Sequence, residues 1–244
     1  MTGRRPDRSS GQPPDQPPDQ PTDRCNDAAW GFVSPGETRF TSALTVVAVI
    51  ILQLLLPDRV TIGSRWFIPS IEAAMLVALL IVSPNKLDAE ARNVRVIALG
   101  LVAILIAANG STLGLLIHQL LQSGQTVVGR TLIYSAAAVW ANNVVAFGVL
   151  YWEIDRGGPV KRCTPDHDEP DLLFPQMSSP TSTVKRWTPR FFDYLYVSLT
   201  NSTAFSPTDA LPLTHRAKGL MAVQSLASFG TIVIVGARAV NILK

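Results

Sequence analysis

The sequence predicts an all-α protein, a polytopic transmembrane helical bundle with about five spanning helices and one short re-entrant helix. Hydrophobic residues make up 47% of the chain and charged residues only 16%, whereas an average soluble domain carries about 25% charged residues. The charges are unevenly distributed, so that five long apolar runs follow one another between residues 41 and 244. A soluble fold of this size has too little polar surface to cover five such runs.

Residues 1–40 are predicted to form a disordered, proline-rich tail. A Pro-Pro-Asp-Gln unit is repeated at residues 13–16 and 17–20. The tail has few apolar side chains, so burial cannot offset the conformational entropy that ordering would cost. We expect a solvated segment with polyproline-like local extension; a ligand for a proline-recognition domain is the alternative.

Residues 41–152 are predicted to form four transmembrane helices. A span needs about 20 mostly apolar residues, and the third run is long enough to cross with tilt. The fourth run closes with Tyr151 and Trp152, and aromatic residues of this kind are typical of the membrane interface. The four runs cover residues 41–57, 67–83, 96–121 and 131–152.

The rest of the chain is predicted to contain a loop, a short membrane segment and a last helix. Residues 153–190 carry charges of both signs and several prolines, which indicates an extramembrane loop. Residues 191–209 are predicted to be a re-entrant, pore-like segment, because their fifteen uncharged residues between Asp193 and Asp209 rise only about 22 Å as a helix. A hydrocarbon core is about 30 Å thick. A short sixth crossing is the alternative, and residues 210–244 form the last transmembrane helix.

Lys and Arg are concentrated in alternate connections of the predicted bundle. The tail carries five, the loop after the second run three and the 153–190 loop six, whereas the other two loops carry two and one. Because cytoplasmic loops are enriched in basic residues, we expect a multi-pass protein of the plasma membrane with a cytoplasmic N-terminus. Cys25 and Cys163 then face the reducing cytoplasm as free thiols.

Several polar side chains lie within the apolar runs. Asn109, Asn142 and Asn143 lie near the middle of the third and fourth runs, and in hydrocarbon they must face partners inside the bundle. They either fix helix packing through hydrogen bonds or line a path for a solute or ion. Glu72 is the acidic residue of the second run. Its helix-start position favours a carboxylate near the headgroups, and a proton or cation site is the alternative. The fifth run contains Gln224, Ser225 and Ser228.

The stretch 194–218 combines features of a pore loop. It begins with the aromatic and hydroxyl-rich YLYVSLT (194–200), continues with TAFSPTD (203–209) and leads through a Pro/Thr step into the last helix. This layout resembles the pore region of potassium channels, which implies a channel-like or transport-like function. We expect the Ser/Thr-rich turn to pack against the third and fourth helices. Its polar side chains would meet polar groups there, such as Asn109, Asn142 or Asn143; these side chains are Asn201, Ser202, Thr203 and Thr208.

The C-terminal part of the chain, residues 130–243, also resembles an uncharacterised family of bacterial integral membrane proteins. The likeness rests on EIDRGGP (153–159), LFPQ (173–176) and the hydroxyl-rich turn before the last helix. That family has no established activity, so the resemblance implies a membrane location and leaves the solute open.

The pore-like stretch departs from potassium channels in two respects. Residues 200–209 contain no glycine and include Pro207, whereas a potassium filter relies on glycine to present a row of backbone carbonyls. Potassium selectivity by that device is therefore not expected. A channel-type loop also enters from outside, whereas the basic residues place this segment on the cytoplasmic side.

The competing function is a non-transporting membrane scaffold or accessory protein. An enzyme is not expected, because His118, His167 and His215 are scattered and no catalytic or metal-ligand spacing is present. Expected partners are the lipid bilayer, an unnamed small solute or ion and, in a homo-oligomer, further copies of the chain; neither a cofactor nor a nucleic acid is expected. The predicted pore-like or polar interior residues are Ser198, Thr200, Asn201, Thr203, Ser206, Asp209, Asn109, Asn142 and Asn143.

Overall fold

The computed structural model describes residues 40–54, 66–82, 92–121, 129–163, 168–178, 187–203 and 210–242. These residues are mostly helical, as predicted. Two short strands and two single 3₁₀ turns, at 155–157 and 161–163, accompany the helices. The elements are α1 (Phe40–Leu54), α2 (Phe67–Val82), α3 (Arg92–Leu121), α4 (Gly129–Ile154), β1 (Leu172–Leu173), α5 (Pro175–Ser178), α6 (Phe191–Thr203), β2 (Leu211–Pro212) and α7 (His215–Ile242).

Three of these helices are long and apolar enough to cross a membrane. The candidate segments are Val94–Gln119 in α3, Ile133–Gly157 in α4 and the 3₁₀ turn that follows it, and His215–Ile234 in α7. Helices α1 and α2 are apolar but have only 15 and 16 described residues. The number of spans therefore stays a prediction. Residues 1–39 of the predicted tail lie outside the described residues, and Phe40 is the first residue of α1.

Apolar side chains cover the outside of the helices as well as their packed faces. Ile81 of α2 and Leu226 of α7 are more than 70% exposed, although the exposed face of a helix in a soluble protein is usually polar. Other exposed apolar side chains lie on every long helix: Leu44, Ile51, Val77, Val96, Ile133, Phe229 and Val233. Such a surface suits a hydrocarbon environment.

Helices α1 to α4 form a ring in which each helix packs against the next and α4 packs back against α1. Helix α4 also packs against α6 and α7, which makes it the central helix of the molecule. Its last two turns contain Phe147, Tyr151 and Trp152, all almost completely buried in the main core.

The stretch between α6 and α7 returns to the end of the bundle where α4 ends, which we call the platform end. Strand β2, just before α7, pairs antiparallel with β1, and Leu172 lies opposite Pro212. Strand β1 is held at the end of α4, because the Asp155 carboxylate accepts the backbone N–H groups of Asp171 at 2.8 Å and Leu172 at 3.3 Å. Helix α6 begins at the same place, since the Tyr194 hydroxyl donates to Asp155 at 2.6 Å. Both α6 and α7 therefore start at the platform end.

A left-handed backbone turn ends α4. Arg156, Gly157 and Gly158 have φ values of 52°, 83° and 98°, a conformation that glycine adopts without strain and arginine does not. The strained residue is held in place, because the Arg156 side chain is buried and its Nε lies 3.6 Å from the Asp155 carboxylate. Arg162 donates to the carbonyl groups of Trp152 and Asp155 at 2.7 and 3.1 Å, which satisfies acceptors that a helix end leaves open.

A second buried carboxylate fastens the start of α7. Asp171 is completely buried and forms an ion pair with Arg216. It also accepts the Thr214 hydroxyl at 2.5 Å, and Thr214 in turn caps α7 by accepting the N–H of Ala217 at 3.2 Å. The described part of the predicted loop is thus an ordered platform that connects α4, α6 and α7.

Replacing Asp155 should destabilise the platform. In Asp155→Asn, the neutral amide is a poorer acceptor for Tyr194 and the two N–H groups and leaves Arg156 without its carboxylate, so we expect a loss on the order of 3 kcal/mol. The matched control is Asp168→Asn, because Asp168 forms a largely exposed ion pair with Lys161 at 2.5 Å, and such pairs contribute little. Thermal and denaturant unfolding of the purified proteins in detergent measure the stability of the two variants. Equal losses for the two variants would contradict this role of Asp155.

Candidate functional site

Helix α6 is a short helix fixed at both ends against α4. At its start, the Asp193 carboxylate accepts the N–H of Arg190 at 2.7 Å, which caps the first turn. Phe191 lies edge-to-face on Trp152 with ring centroids 5.8 Å apart. At its end, the Trp140 indole N–H donates to the carbonyl of Ser202 at 3.4 Å. Since Trp140 lies near the middle of α4, α6 runs from the platform end to about half the depth of the bundle.

The Gln224 side chain of α7 joins three helices. Its Oε1 accepts the Tyr151 hydroxyl of α4 at 2.6 Å and the Asn201 amide of α6 at 2.8 Å. Its Nε2 donates to the hydroxyls of Ser198 at 2.6 Å and Ser202 at 2.7 Å. Gln224 is completely buried, and these contacts use both donors and the carbonyl oxygen of its amide. We call these five residues the Gln224 network.

Further hydrogen bonds extend the network along α4 and α7. Asn143 of α4 donates to the backbone carbonyl of Gln224 at 3.2 Å and to the Ser228 hydroxyl at 2.8 Å. The Ser198 hydroxyl donates to the carbonyl of Val144 at 2.6 Å, and the Ser225 hydroxyl contacts the Asn201 side-chain oxygen at 3.1 Å. Polar side chains of α6 therefore form hydrogen bonds with both α4 and α7.

The structure brings three of the predicted site residues together and separates others from them. Ser198 and Asn201 belong to the Gln224 network, and Asn143 is attached to it. The hydroxyls of Thr200 and Thr203 donate to carbonyl groups of their own helix at 2.9–3.0 Å. Ser206 and Asp209 lie outside the described residues. The remaining two, Asn109 and Asn142, are buried, and their side-chain oxygens have no hydrogen-bond partner.

The asparagines expected as partners of Asn201 and Ser202 were wrong; Thr203 donates within its own helix, and Thr208 lies outside the described residues. Asn201 and Ser202 meet Gln224 and not the asparagines of α3 and α4. The reason is geometric: α6 and α7 both start at the platform, so α6 lies along α7 and α4. The expectation that Gln224 and Ser228 face the bundle interior is confirmed, since both are almost completely buried; Gln224, Ser228 and Thr231 share one helical face.

The expectation for Glu72 was also wrong. Helix α2 begins at Phe67, so Glu72 lies beyond the first turn, where the helix dipole has little effect. Its side chain is completely buried, and one carboxylate oxygen accepts the Gln53 amide of α1 at 3.2 Å. The carboxylate thus faces the interior of the α1–α4 ring.

The free cysteine of the platform is a weakly reactive thiol. Cys163 is half-buried and donates to the carbonyl of Pro159 at 3.3 Å. Burial raises the pKa of the Cys163 thiol, an effect that outweighs the opposing charge of Arg162. The fraction present as thiolate at neutral pH is therefore small. Cys25 lies outside the described residues.

A scan against protein-family models found no match, and searches of curated proteins and of solved structures found none either. The likeness to a channel pore region thus rests on the sequence stretches quoted above. Within the part of the chain that the structure describes, no group of three or more His, Cys, Asp or Glu side chains could hold a metal ion.

Removing the Gln224 amide should loosen α6. In Gln224→Leu, the buried groups of Tyr151, Asn201 and Ser202 lose their partner, so we expect a loss on the order of 2 kcal/mol. Thr200→Ala is the control, since Thr200 donates only within its own helix, and its stability should change by less than about 0.5 kcal/mol. Unfolding in detergent gives the stabilities, and proteolysis near residue 203 reports on α6. A Gln224→Leu protein as stable as Thr200→Ala would show that the network does not hold α6.

Proposed function

We propose that this chain is a multi-pass protein of the plasma membrane with a channel-like or transport-like function for a small solute, most simply a cation. In this proposal α1–α4 and α7 span the bilayer, and α6 is a re-entrant half-helix. The observation that carries it is the start of α6 and α7 at the same end of the bundle, combined with the end of α6 beside the middle of α4. Chain segments that stop half-way in a membrane are tolerated where they are packed in protein or line a watery cavity.

The direction of α6 favours a cation. The last carbonyl groups of a helix carry a partial negative charge of about half an elementary charge. The C-terminal end of α6 lies deep in the bundle and leads into the 204–209 stretch, whose sequence contains Ser206 and Asp209. Half-helices that end at mid-membrane bind cations in this way in known transporter folds.

The outer face of α6 supports an arrangement of several copies. Phe192, Tyr196 and Leu199 are 70%, 46% and 38% exposed, and their spacing places them in one stripe along the helix. In a homo-oligomer this stripe would pack against a second copy, which would bring the ends of several α6 helices near a common axis. In a monomer it would face lipid.

The scaffold alternative is favoured by one specific observation. Every described hydroxyl or amide side chain of α6 after Tyr196 donates a hydrogen bond within the protein or accepts one from Gln224. These side chains therefore hold helices together, and conduction would depend on the end of α6 and the stretch that follows it. Under the scaffold alternative the same network is only a packing device.

The basic residues set the side from which α6 enters. By sequence, sixteen Lys and Arg residues belong to the tail, the two connections on that side and the first turn of α7, and five belong to the other side. By this count the platform is cytoplasmic, so the segment enters from inside, opposite to a potassium-channel loop.

Flux through the purified protein in liposomes tests the proposal. Full-length protein should dissipate a gradient of Na⁺ or K⁺ faster than empty vesicles, and Asp209→Asn should reduce that flux by about tenfold because it removes the negative charge of the 204–209 stretch that follows α6. Asp193→Asn is the matched control, since Asp193 caps the start of α6. Flux through this variant should stay at the wild-type level. No flux from correctly folded wild-type protein, for cations or small neutral solutes, would favour the scaffold.

A further inference from the structure

The four helices of the α1–α4 ring enclose a cleft near the platform end. Each helix contributes apolar side chains to its wall, among them Val46, Leu80, Val102 and Val149. On each helix, the residue that lies seven or eight positions further from the platform than this wall residue is about two helical turns away and on the same face. On all four helices, the residue at this position has a polar side chain.

These four positions are Gln53 on α1, Glu72 on α2, Asn109 on α3 and Asn142 on α4. Since α1 and α3 run away from the platform and α2 and α4 run towards it, all four steps lead to a similar depth. All four side chains are more than nine-tenths buried, and Glu72 is completely so. Gln53 and Glu72 are in direct contact at 3.2 Å. We call this group the Glu72 layer.

The Glu72 layer contains oxygen atoms without donors. Oε2 of Glu72 and the side-chain oxygens of Asn109 and Asn142 are buried and have no hydrogen-bond partner. Leaving such acceptors unsatisfied in an apolar interior is costly, and an unpaired carboxylate there is the most costly of all. The adjacent Asn143 shows the contrast, because the nitrogen of its amide donates to two oxygens of α7.

We propose that the Glu72 layer binds one monovalent hard cation, and Na⁺ is the probe used to test it. Oxygen atoms of carboxylates and amides are the ligands that hard cations prefer. One carboxylate balances one positive charge, whereas a divalent ion would leave a net charge in the interior. The site lies among α1–α4 and is separate from α6, so it does not rest on the proposed function of the half-helix.

Binding of Na⁺ to the full-length protein in detergent tests this site. Unfolding midpoints are measured as NaCl replaces choline chloride at constant ionic strength, and ²²Na⁺ dialysis counts the ions bound per chain. We expect a saturable rise of the midpoint with Na⁺ and one ion per chain. Glu72→Gln should abolish both while the protein still folds, because the amide removes the buried charge.

Neighbouring asparagines supply the matched pair of variants. Asn142→Ala should weaken Na⁺ binding by about tenfold, and Asn109→Ala serves the same purpose if the first variant does not fold. Asn143→Ala should lower the midpoint in both salts and retain the full Na⁺-dependent rise, since its amide only binds α7. A wild-type midpoint that is identical in Na⁺ and choline, without bound ²²Na⁺, would overturn the proposal and indicate a protonated Glu72. Full Na⁺ dependence in Glu72→Gln would overturn it as well.

Discussion

A polar group buried away from water must find its hydrogen-bond partner inside the protein, and the placement of α6 depends on this constraint. A helix of 13 residues rises only about 20 Å, too little to cross a bilayer, and its serine and asparagine side chains are poorly suited to lipid. The Gln224 amide resolves both problems, because it satisfies Ser198, Asn201 and Ser202 together. The half-helix is thereby fixed at a defined depth between α4 and α7.

Two kinds of polar interior therefore coexist in the bundle. In the Gln224 network, donors and acceptors match, so the network orders helices and has no open ligand position. In the Glu72 layer, three buried side-chain oxygens have no donor, and oxygen atoms of this kind are the ligands of hard cations. Asn142 and Asn143 are neighbours on α4, yet they face these two environments, because successive residues of a helix point about 100° apart. The proposed cation site and the packing network thus lie on different faces of the same central helix.

The apolar runs allowed the helical fold class to be predicted, and the fifteen uncharged residues after Asp193 gave the approximate length of α6. Sequence alone could not give the rotation of each helix, because tertiary packing decides which face is buried. For this reason Asn201 was paired with the wrong helices and Glu72 was placed at the surface. The platform was also not predictable: two-residue strands have no sequence periodicity, and the left-handed Arg156 goes against the ordinary preference of that residue. Gln224 was expected to face the bundle interior, but its partners on α4 and α6 depend on the same rotations.

The central claim is that the chain returns after α6 to the end from which it entered. It is tested most directly by comparing two fusions of a reporter that is active only in the cytoplasm, one inserted within residues 179–186 and one after Lys244. If α6 is re-entrant, α7 alone separates the two positions, so one fusion is active and the other is not. Activity of both fusions, or of neither, would show that α6 crosses the membrane and would contradict the account.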